Sequence, residues 1–364
     1  MEQEPETDNA LFQENERQTP LGDGRRYFDA GDMQLKAGGF LPSVTVAYET
    51  WGELNPSRSN AVLICHALSG DSHAVGWWDR LVGPGRTIDT EKYFVVGTNV
   101  LGGCRGTTGP CSMAEDGKPY GSRFPTILVE DMVEAQKRLT EALGVGKWAL
   151  VAGGSMGGMQ AIQWSVQCPQ MVDRVWCTAS CAAHSAMQIG FNEAGRQAVL
   201  RDPAFLGGDY YPGPGPVNGL AVARMIGHLT FLSESSFASK FGRALQGKEA
   251  FSYNGGTEFA VESYLNYQGD KFNQRFDANS HLVLTRAIDY YRLESFSGAG
   301  ARFLFTAFDS DWIYPSHQSR ELHRLAQLAG CQSEFVEINC PWGHDAFLLE
   351  EVEQGRLVRG FLSV

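Results

Sequence analysis

A short segment in the first half of the chain has the residue types and spacing of a serine nucleophile. The sequence GGSMG (153–157) follows an apolar, strand-like run, 148–154, and leads directly into a helix-like run, 156–167. A serine in the pattern G-x-S-x-G between a strand and a helix lies on a sharp turn, and the glycines leave room for that backbone. We therefore predict that Ser155 is a nucleophile. The Met156 N–H, an unpaired donor at the start of the helix, is predicted to bind the oxyanion that forms.

A glycine-rich turn of this kind has two other common uses. A phosphate-binding loop would require the pattern G-x-x-x-x-G-K-[ST], and no lysine follows these glycines. A turn that only joins a strand to a helix remains the alternative. The catalytic interpretation therefore needs a base for the serine and an acid that orients the base.

Candidates for both groups follow the serine, in the chain order typical of this kind of turn. His344 lies in the loop CPWGHDAF after the last strand-like run, and we predict that it is the general base. Asp309 and Asp311 come directly after the apolar run 303–308, where an acid could orient the histidine. The short alternation of that run does not separate the two aspartates.

A second donor to the oxyanion is expected in the loop after an early core strand. The segment NAVLICHALSGDS (60–72) is a strand-like run that leads into a loop containing glycine. The Leu68 backbone N–H is the predicted donor, and an ordinary connecting loop is the alternative.

Strand-like and helix-like segments alternate over most of the chain, and this alternation predicts the scaffold. Several strand-like runs are apolar throughout, which is typical of strands buried on both faces. They cover 44–52, 60–68, 93–101, 148–154, 174–181, 303–308 and 334–339, with helix-like runs at 126–144, 156–167 and 317–330. We predict an α/β protein with a mostly parallel sheet flanked by helices.

One long segment, 185–298, interrupts the alternation with several helix-like runs. We predict a helical lid inserted into an α/β core that is formed by 26–184 and 299–364. Residues 1–25 are acidic and poor in apolar side chains, so they are expected to form a disordered tail.

Composition restricts the partners and the compartment. The 364 residues carry a formal net charge of −12, which disfavours binding to nucleic acid or to an anionic membrane. No apolar run approaches membrane-spanning length, and the N-terminal segment lacks the apolar core of a signal peptide. The eight cysteines form no C-x-x-C pair, so neither a disulfide framework nor a metal site is expected. These features favour a cytoplasmic protein.

Several longer blocks occur in one order along the chain. They are HALSGDSHAVGWWD, GTNVLGGCRGTTGP, GGSMGGMQAIQW, IGFNEAGRQAV, GLAVARMIGHLTFLSE, KFGR, FAVESYLNYQGDKFNQRFD and GHDAFLLE. In this order they resemble the homoserine O-acetyltransferase family of the α/β-hydrolase superfamily, from about residue 28 to the C-terminal residue. The resemblance implies an α/β-hydrolase fold.

The resemblance also implies a reaction and its residues. The reaction is transfer of acetyl from acetyl-CoA, a co-substrate, to the hydroxyl of L-homoserine, a step towards methionine, with no permanently bound cofactor. The resemblance implies that Asp311 rather than Asp309 is the acid, that Arg224 and Asp345 bind the amino-acid substrate, and that the lid helices form a homodimer. A guanidinium suits an α-carboxylate, and a carboxylate suits an α-ammonium group.

Three alternatives remain open beside this one: the same chemistry with another donor or acceptor, a plain esterase, and a non-catalytic binding or scaffold protein on the same fold. Succinyl-CoA could replace acetyl-CoA as the donor, and serine could replace homoserine as the acceptor, without any change in the chemistry. A plain esterase would need no clamp for an amino acid.

Overall fold

An eight-stranded sheet runs through the protein, whose computed structural model describes residues 24–363. The strands are β1 (Arg26–Gln34), β2 (Phe40–Trp51), β3 (Ala61–Cys65), β4 (Phe94–Thr98), β5 (Leu150–Gly154), β6 (Arg174–Thr178), β7 (Arg302–Phe308) and β8 (Ser333–Ile338). Their order in the sheet is β1-β2-β4-β3-β5-β6-β7-β8. The last six strands in this order, β4, β3, β5, β6, β7 and β8, are parallel to one another. Strand β2 is antiparallel to both of its neighbours. The predicted α/β-hydrolase fold, with a mostly parallel sheet, is confirmed.

The central strands are buried on both faces because their side chains alternate between two apolar clusters. Every residue of β3 and β5 is buried. In β3, Leu63 and Cys65 belong to one cluster, whereas Val62 and Ile64 belong to the other. This explains why these strands are apolar throughout, since neither face meets water.

Eleven helices surround the sheet in the part of the chain that the structure describes. They are α1 (Ala74–Trp77), α2 (Val129–Ala142), α3 (Met156–Gln167), α4 (Ala186–Leu200), α5 (Val217–Phe231), α6 (Glu234–Lys240), α7 (Ala260–Asn273), α8 (Ala278–Tyr290), α9 (Ser316–Leu328), α10 (Ala346–Leu349) and α11 (Val352–Ser363). None of these helices is long and apolar enough to cross a membrane. Four 3₁₀ turns and a parallel pair of two-residue strands, Val82–Gly83 and Ile88–Asp89, complete the regular structure.

Five of the helices, α4 to α8, lie between β6 and β7, within the segment predicted as an insertion. The chain enters and leaves this segment at one place. Ala183 and Arg292 form an antiparallel bridge there, and the Leu293 N–H donates to the Ala182 carbonyl at 2.8 Å. We call this paired entry and exit, 182–183 and 292–293, the neck of the insertion.

The sequence pattern missed β1 and began β2 four residues late, at residue 44 instead of Phe40. Most of β1 is exposed or half-buried, and its pairing with β2 is interrupted at Gly31, so it lacks the apolar run of a buried strand. Residues 1–23, which make up most of the predicted acidic tail, lie outside the described residues, as does Val364.

Candidate active site

Ser155 lies on a strained turn between β5 and α3. Its backbone has φ 57° and ψ −124°, which is rare for a residue with a side chain. A Cβ on Gly157 would come within 2.1 Å of the Cys65 carbonyl oxygen, and one on Gly153 within 2.3 Å of the Gly157 backbone. Only glycine fits at these two positions, so the packing of β3 against the turn accounts for the G-x-S-x-G pattern. The Ser155 residue is only 9% exposed.

His344 follows β8, in a short 3₁₀ turn that approaches the insertion closely. The turn is possible because Gly343 has φ 70° and because a Cβ there would lie 2.5 Å from the Ser233 nitrogen. The His344 Nδ1 is 2.7 Å from Asp311 Oδ2, and both residues are 3% exposed. Since an ionised carboxylate only accepts hydrogen bonds, Nδ1 carries the proton and Nε2 is left as the basic nitrogen.

The structure separates the two aspartates that the sequence pattern could not separate. Asp311 Oδ1 accepts the backbone N–H groups of Ile313, at 3.1 Å, and Tyr314, at 2.8 Å. Asp309 instead accepts the Cys340 backbone N–H at 3.0 Å and the Asn339 side-chain amide, at the end of β8. Asp311 therefore orients the histidine, while Asp309 joins the ends of two neighbouring strands.

A buried histidine joins the loop after β3 to the chain that follows β4. The Val100 N–H donates to His66 Nε2 at 3.0 Å, so the His66 Nδ1 proton faces the Ala67 carbonyl at 2.6 Å. Burial lowers the pKa of His66, which keeps its ring neutral as this pattern requires. Leu68 follows directly and lines the same cavity as Ser155. Met156 is the first residue of α3 and is fully buried.

A cavity of about 650 Å³ is lined by five of the seven predicted site residues, while Asp311 and Met156, which adjoin His344 and Ser155, do not line it. Loops of the core supply Leu68, Ser155, His344 and Asp345, and α5 of the insertion supplies Arg224. The structure therefore brings these five residues together from segments that are far apart in the sequence. The Arg224 Cζ lies 4.7 Å from the centre of the Phe272 ring, in α7.

Positive charge is concentrated at this cavity in a chain whose net charge is −12. Four cationic side chains line it, against two carboxylates, Asp71 and Asp345: the cations are Arg105, Arg224, Lys271 and Arg275. Burial, together with the neighbouring Arg224 and Arg105, lowers the pKa of Arg275 to about 10. The Arg275 guanidinium donates to the Ser69 carbonyl, so it also supports the loop that carries Leu68. A cavity of this charge suits an anionic substrate.

The sequence analysis missed three polar residues beside the nucleophile. Tyr314 and His184 line the cavity, and Asp289 lies behind His184. The Tyr314 hydroxyl lies near the Ser155 side chain in this cavity. These residues come from three distant segments, so no local spacing links them. The signal that could have suggested Tyr314 is its position three residues after Asp311.

No group of three or more metal-ligating side chains occurs between residues 24 and 363. The eight cysteines, which all fall in this range, are free, and seven of them are buried or half-buried in the apolar clusters. Burial raises the pKa of the Cys168 and Cys340 thiols to about 11, so they remain protonated.

This scaffold and site define an α/β-hydrolase. The family described as the α/β-hydrolase fold matches residues 60–351 of the chain. Esterase E22 has a similar structure, with a TM-score of 0.85 and 29% identity over 93% of this chain and 99% of that one.

More closely, the chain belongs to the homoserine O-acetyltransferase family. It is 47% identical to homoserine O-acetyltransferase from Solidesulfovibrio magneticus over 93% of this chain and 92% of the relative. It is also 47% identical to the Methanosphaerula palustris protein of that name over 92% of this chain and 72% of the relative. The crystal structure of homoserine O-acetyltransferase from Bacillus anthracis superimposes with a TM-score of 0.86, at 28% identity, over 93% of this chain and 97% of that one.

Proposed function

We propose that this protein transfers the acetyl group of acetyl-CoA to the hydroxyl of L-homoserine through an acetyl-serine intermediate. The observation that carries the proposal is the hydrogen-bonded pair of Asp311 and His344, which opens onto the cavity that holds Ser155. The 47% identity to two proteins named homoserine O-acetyltransferase supports the choice of substrates.

In the first half of the reaction Ser155 is acetylated. His344 Nε2 takes the Ser155 proton as the Oγ attacks the thioester carbonyl carbon. The backbone N–H groups of Leu68 and Met156 stabilise the oxyanion, a contribution worth about 100- to 1,000-fold in rate per donor. The carbon–sulfur bond then breaks, and the CoA sulfur leaves with the proton carried by His344. Asp311 stabilises the imidazolium through Nδ1 throughout.

In the second half homoserine replaces CoA in the cavity. His344 takes the proton of the homoserine hydroxyl, whose oxygen attacks the acetyl carbon. The bond from that carbon to Ser155 Oγ breaks, and the serine regains a proton from His344. The products are O-acetylhomoserine and free enzyme, so donor and acceptor react in turn at the same histidine.

The amino-acid part of homoserine is assigned to two charged residues that line the cavity, Arg224 and Asp345. Arg224 is assigned to the α-carboxylate, because its fork of donors matches a carboxylate in a bidentate manner. Asp345, adjacent to His344, is assigned to the α-ammonium group. Anchoring both charges would present the substrate hydroxyl to the base at close range.

Exclusion of water is assigned to the insertion, which we interpret as a lid (185–298) on a core formed by 26–184 and 299–364. Water competes with homoserine for the acetyl-enzyme, and an enclosed site reduces that competition. Exposed apolar side chains on α4 and α5, including Met187, Ile189, Val222 and Leu229, support a homodimer through these helices. We also assign the protein to the cytoplasm, with no permanently bound cofactor.

The proposal is tested by following CoA release with a thiol reagent. Acetyl-CoA and succinyl-CoA are each combined with homoserine and with serine, and O-acetylhomoserine is identified by mass spectrometry. Release that requires both acetyl-CoA and homoserine is expected, whereas no turnover of this pair would overturn the proposal. Because esterase E22 is a structural neighbour, hydrolysis of p-nitrophenyl acetate without an acceptor is measured in parallel.

A further inference from the structure

Behind the nucleophile lies a second pair of an aspartate and a histidine. His184 Nδ1 is 2.8 Å from Asp289 Oδ1, and His184 Nε2 is 2.7 Å from the Tyr314 hydroxyl. Arg196 and Asn192 also donate to Asp289, each at 2.7 Å. The side chains of His184 and Asp289 are 2% and 5% exposed, so the pair is shielded from water.

Tyr314 connects this second pair to every member of the proposed triad. Its backbone N–H donates to Asp311 at 2.8 Å. Its ring is stacked on the His344 ring, with the centres 4.8 Å apart and the planes 17° from parallel. Its hydroxyl is 2.7 Å from His184 Nε2 and lies near the Ser155 side chain in the cavity.

The hydrogen bonds assign the direction of each proton in this chain of residues. Burial alone would raise the pKa of Asp289, but hydrogen bonds from His184, Asn192 and Arg196 lower it, so the carboxylate is ionised and only accepts. In a neutral imidazole the single His184 proton then lies on Nδ1, which leaves Nε2 as the acceptor. Burial holds the pKa of Tyr314 well above its usual range, so the phenol keeps its proton and donates it to Nε2.

We propose that the Asp289–His184 pair holds the Tyr314 proton away from Ser155 Oγ, and that His184 and Tyr314 are thereby positioning residues for the nucleophile. With the Tyr314 proton committed to His184, the Ser155 proton is left for His344 Nε2, and the Oγ lone pairs are left free to attack. If the phenol turned its proton towards Ser155 Oγ, it would occupy the lone pair that attacks the substrate. The inference rests on the acetyl-serine mechanism proposed above, and nothing in that mechanism requires it.

Two substitutions of His184 separate this role from packing. His184→Gln places an amide oxygen near the Nε2 position, where it can still accept the Tyr314 proton. His184→Asn is shorter and reaches towards Asp289 but not towards Tyr314. We expect acetylation of Ser155 to slow by about 30-fold in the asparagine variant and by less than about 3-fold in the glutamine variant, as for loss of a buried hydrogen bond.

The decisive measurement combines His184→Asn with Tyr314→Phe, which keeps the ring on His344 and removes only the hydroxyl. We expect Tyr314→Phe alone to slow acetylation by about 10-fold or less. In the double variant the phenol that could turn is gone, so the rate should return to that of Tyr314→Phe. Multiplication of the two single effects would overturn the proposal, and so would equal losses in His184→Gln and His184→Asn.

The rate is measured as the pre-steady-state burst of p-nitrophenol from p-nitrophenyl acetate, a donor that needs neither CoA nor homoserine. Far-UV circular dichroism and the thermal midpoint check that each variant is folded. This readout distinguishes the two proposals. A burst that depends on Ser155 without any turnover of acetyl-CoA and homoserine would refute the proposed substrates and leave the role of Tyr314 testable.

Discussion

Asp311 divides its two carboxylate oxygens between His344 and the backbone that follows it. Oδ2 accepts from His344 Nδ1 at 2.7 Å, while Oδ1 accepts two backbone N–H groups. The carboxylate is therefore held from one side as it orients the imidazole from the other. Asp309, only two residues away, has no such contact with the histidine and instead bonds to residues at the end of β8.

This difference predicts the outcome of two matched substitutions. Asp311→Asn should reduce kcat by about 1,000-fold or more, because an amide in that place favours the wrong tautomer of the histidine. Asp309→Asn removes a charge at nearly the same place and should retain activity within about 10-fold of the unaltered protein, as for loss of a single hydrogen bond. Steady-state kinetics with acetyl-CoA and homoserine make the comparison, and the reverse order would refute the assignment of the acid.

Ser155→Ala should abolish the acetyl-enzyme. Intact-protein mass spectrometry after brief incubation with acetyl-CoA should show the added acetyl group on the unaltered protein and none on this variant. Ser165→Ala is the control, since Ser165 lies on the same helix and its hydroxyl bonds only to a helix carbonyl, that of Ile162, at 2.6 Å. An acetyl group retained at any site in Ser155→Ala would show that the nucleophile is another residue.

Arg224→Lys should raise the KM for homoserine by about 10-fold or more while leaving burst acetylation of Ser155 nearly unchanged. Lysine keeps the charge but loses the paired donors that match a carboxylate. Arg286→Lys provides a control in the same insertion, because Arg286 is half-exposed and pairs with Glu193 at 3.4 Å. A KM for homoserine that is unaffected by Arg224→Lys would exclude this residue as the carboxylate site.

His281 should make folding stability depend on pH. Burial lowers its pKa to about 4, so the folded protein binds the proton less readily than the unfolded chain, whose histidine titrates near 6.5. The stabilising contribution is complete above pH 6.5 and is lost as the pH falls towards 4.

Between pH 7 and pH 5 the free energy of unfolding should fall by about 2 kcal/mol through this residue. His281→Phe should remove that part of the pH dependence in urea titrations. His317→Gln, at an exposed position on α9, should leave it unchanged. Equal pH dependence in the unaltered protein and in His281→Phe would show that His281 does not resist protonation.

The turn at Ser155 should tolerate no side chain at Gly157. Gly157→Ala would force a methyl group to within 2.1 Å of the Cys65 carbonyl oxygen. Because that oxygen belongs to the backbone of a buried strand, it cannot move aside without a large cost in free energy. We expect a loss of about 2–4 kcal/mol in the free energy of unfolding, together with loss of the acetylation burst. Gly190→Ala is the matched control, because no atom lies within 4 Å of the added methyl group on the exposed face of α4. That control should stabilise the protein by up to about 1 kcal/mol, whereas a stable, active Gly157→Ala would contradict the close approach.

The elements nearest the chemistry were predictable because local rules govern them. A buried strand, a glycine turn and a helix follow one another without a gap around Ser155, so the pattern of a few residues specifies the geometry. The choice between Asp309 and Asp311 was not predictable from the strand pattern, since both follow β7 and only the path of the backbone beyond it decides which one faces His344. Resemblance to a family supplied that choice, and the hydrogen bonds of the structure agree with it.

The contacts of Tyr314 could not be predicted from the local sequence pattern. Tyr314, His184 and Asp289 are brought together by the packing of the insertion on the core, and the bond between Tyr314 and His184 spans 130 positions in the chain. The strand β1 was missed for a different reason, because its half-exposed residues carry no strong apolar signal. Prediction from sequence therefore failed where tertiary contacts, rather than local periodicity, determine the outcome.

The neck of the insertion has a mechanical consequence. His184 directly follows the first half of the neck, 182–183. Asp289 lies three residues before Arg292, which belongs to the second half. Their hydrogen bond joins the two ends of the insertion beside the neck. The His184 imidazole also contacts the phenol of Tyr314, near Ser155. Any opening of the five helices about this point would break the contacts of His184 with Asp289 or Tyr314. We therefore expect an opening that admits a substrate to occur in the helices away from the neck.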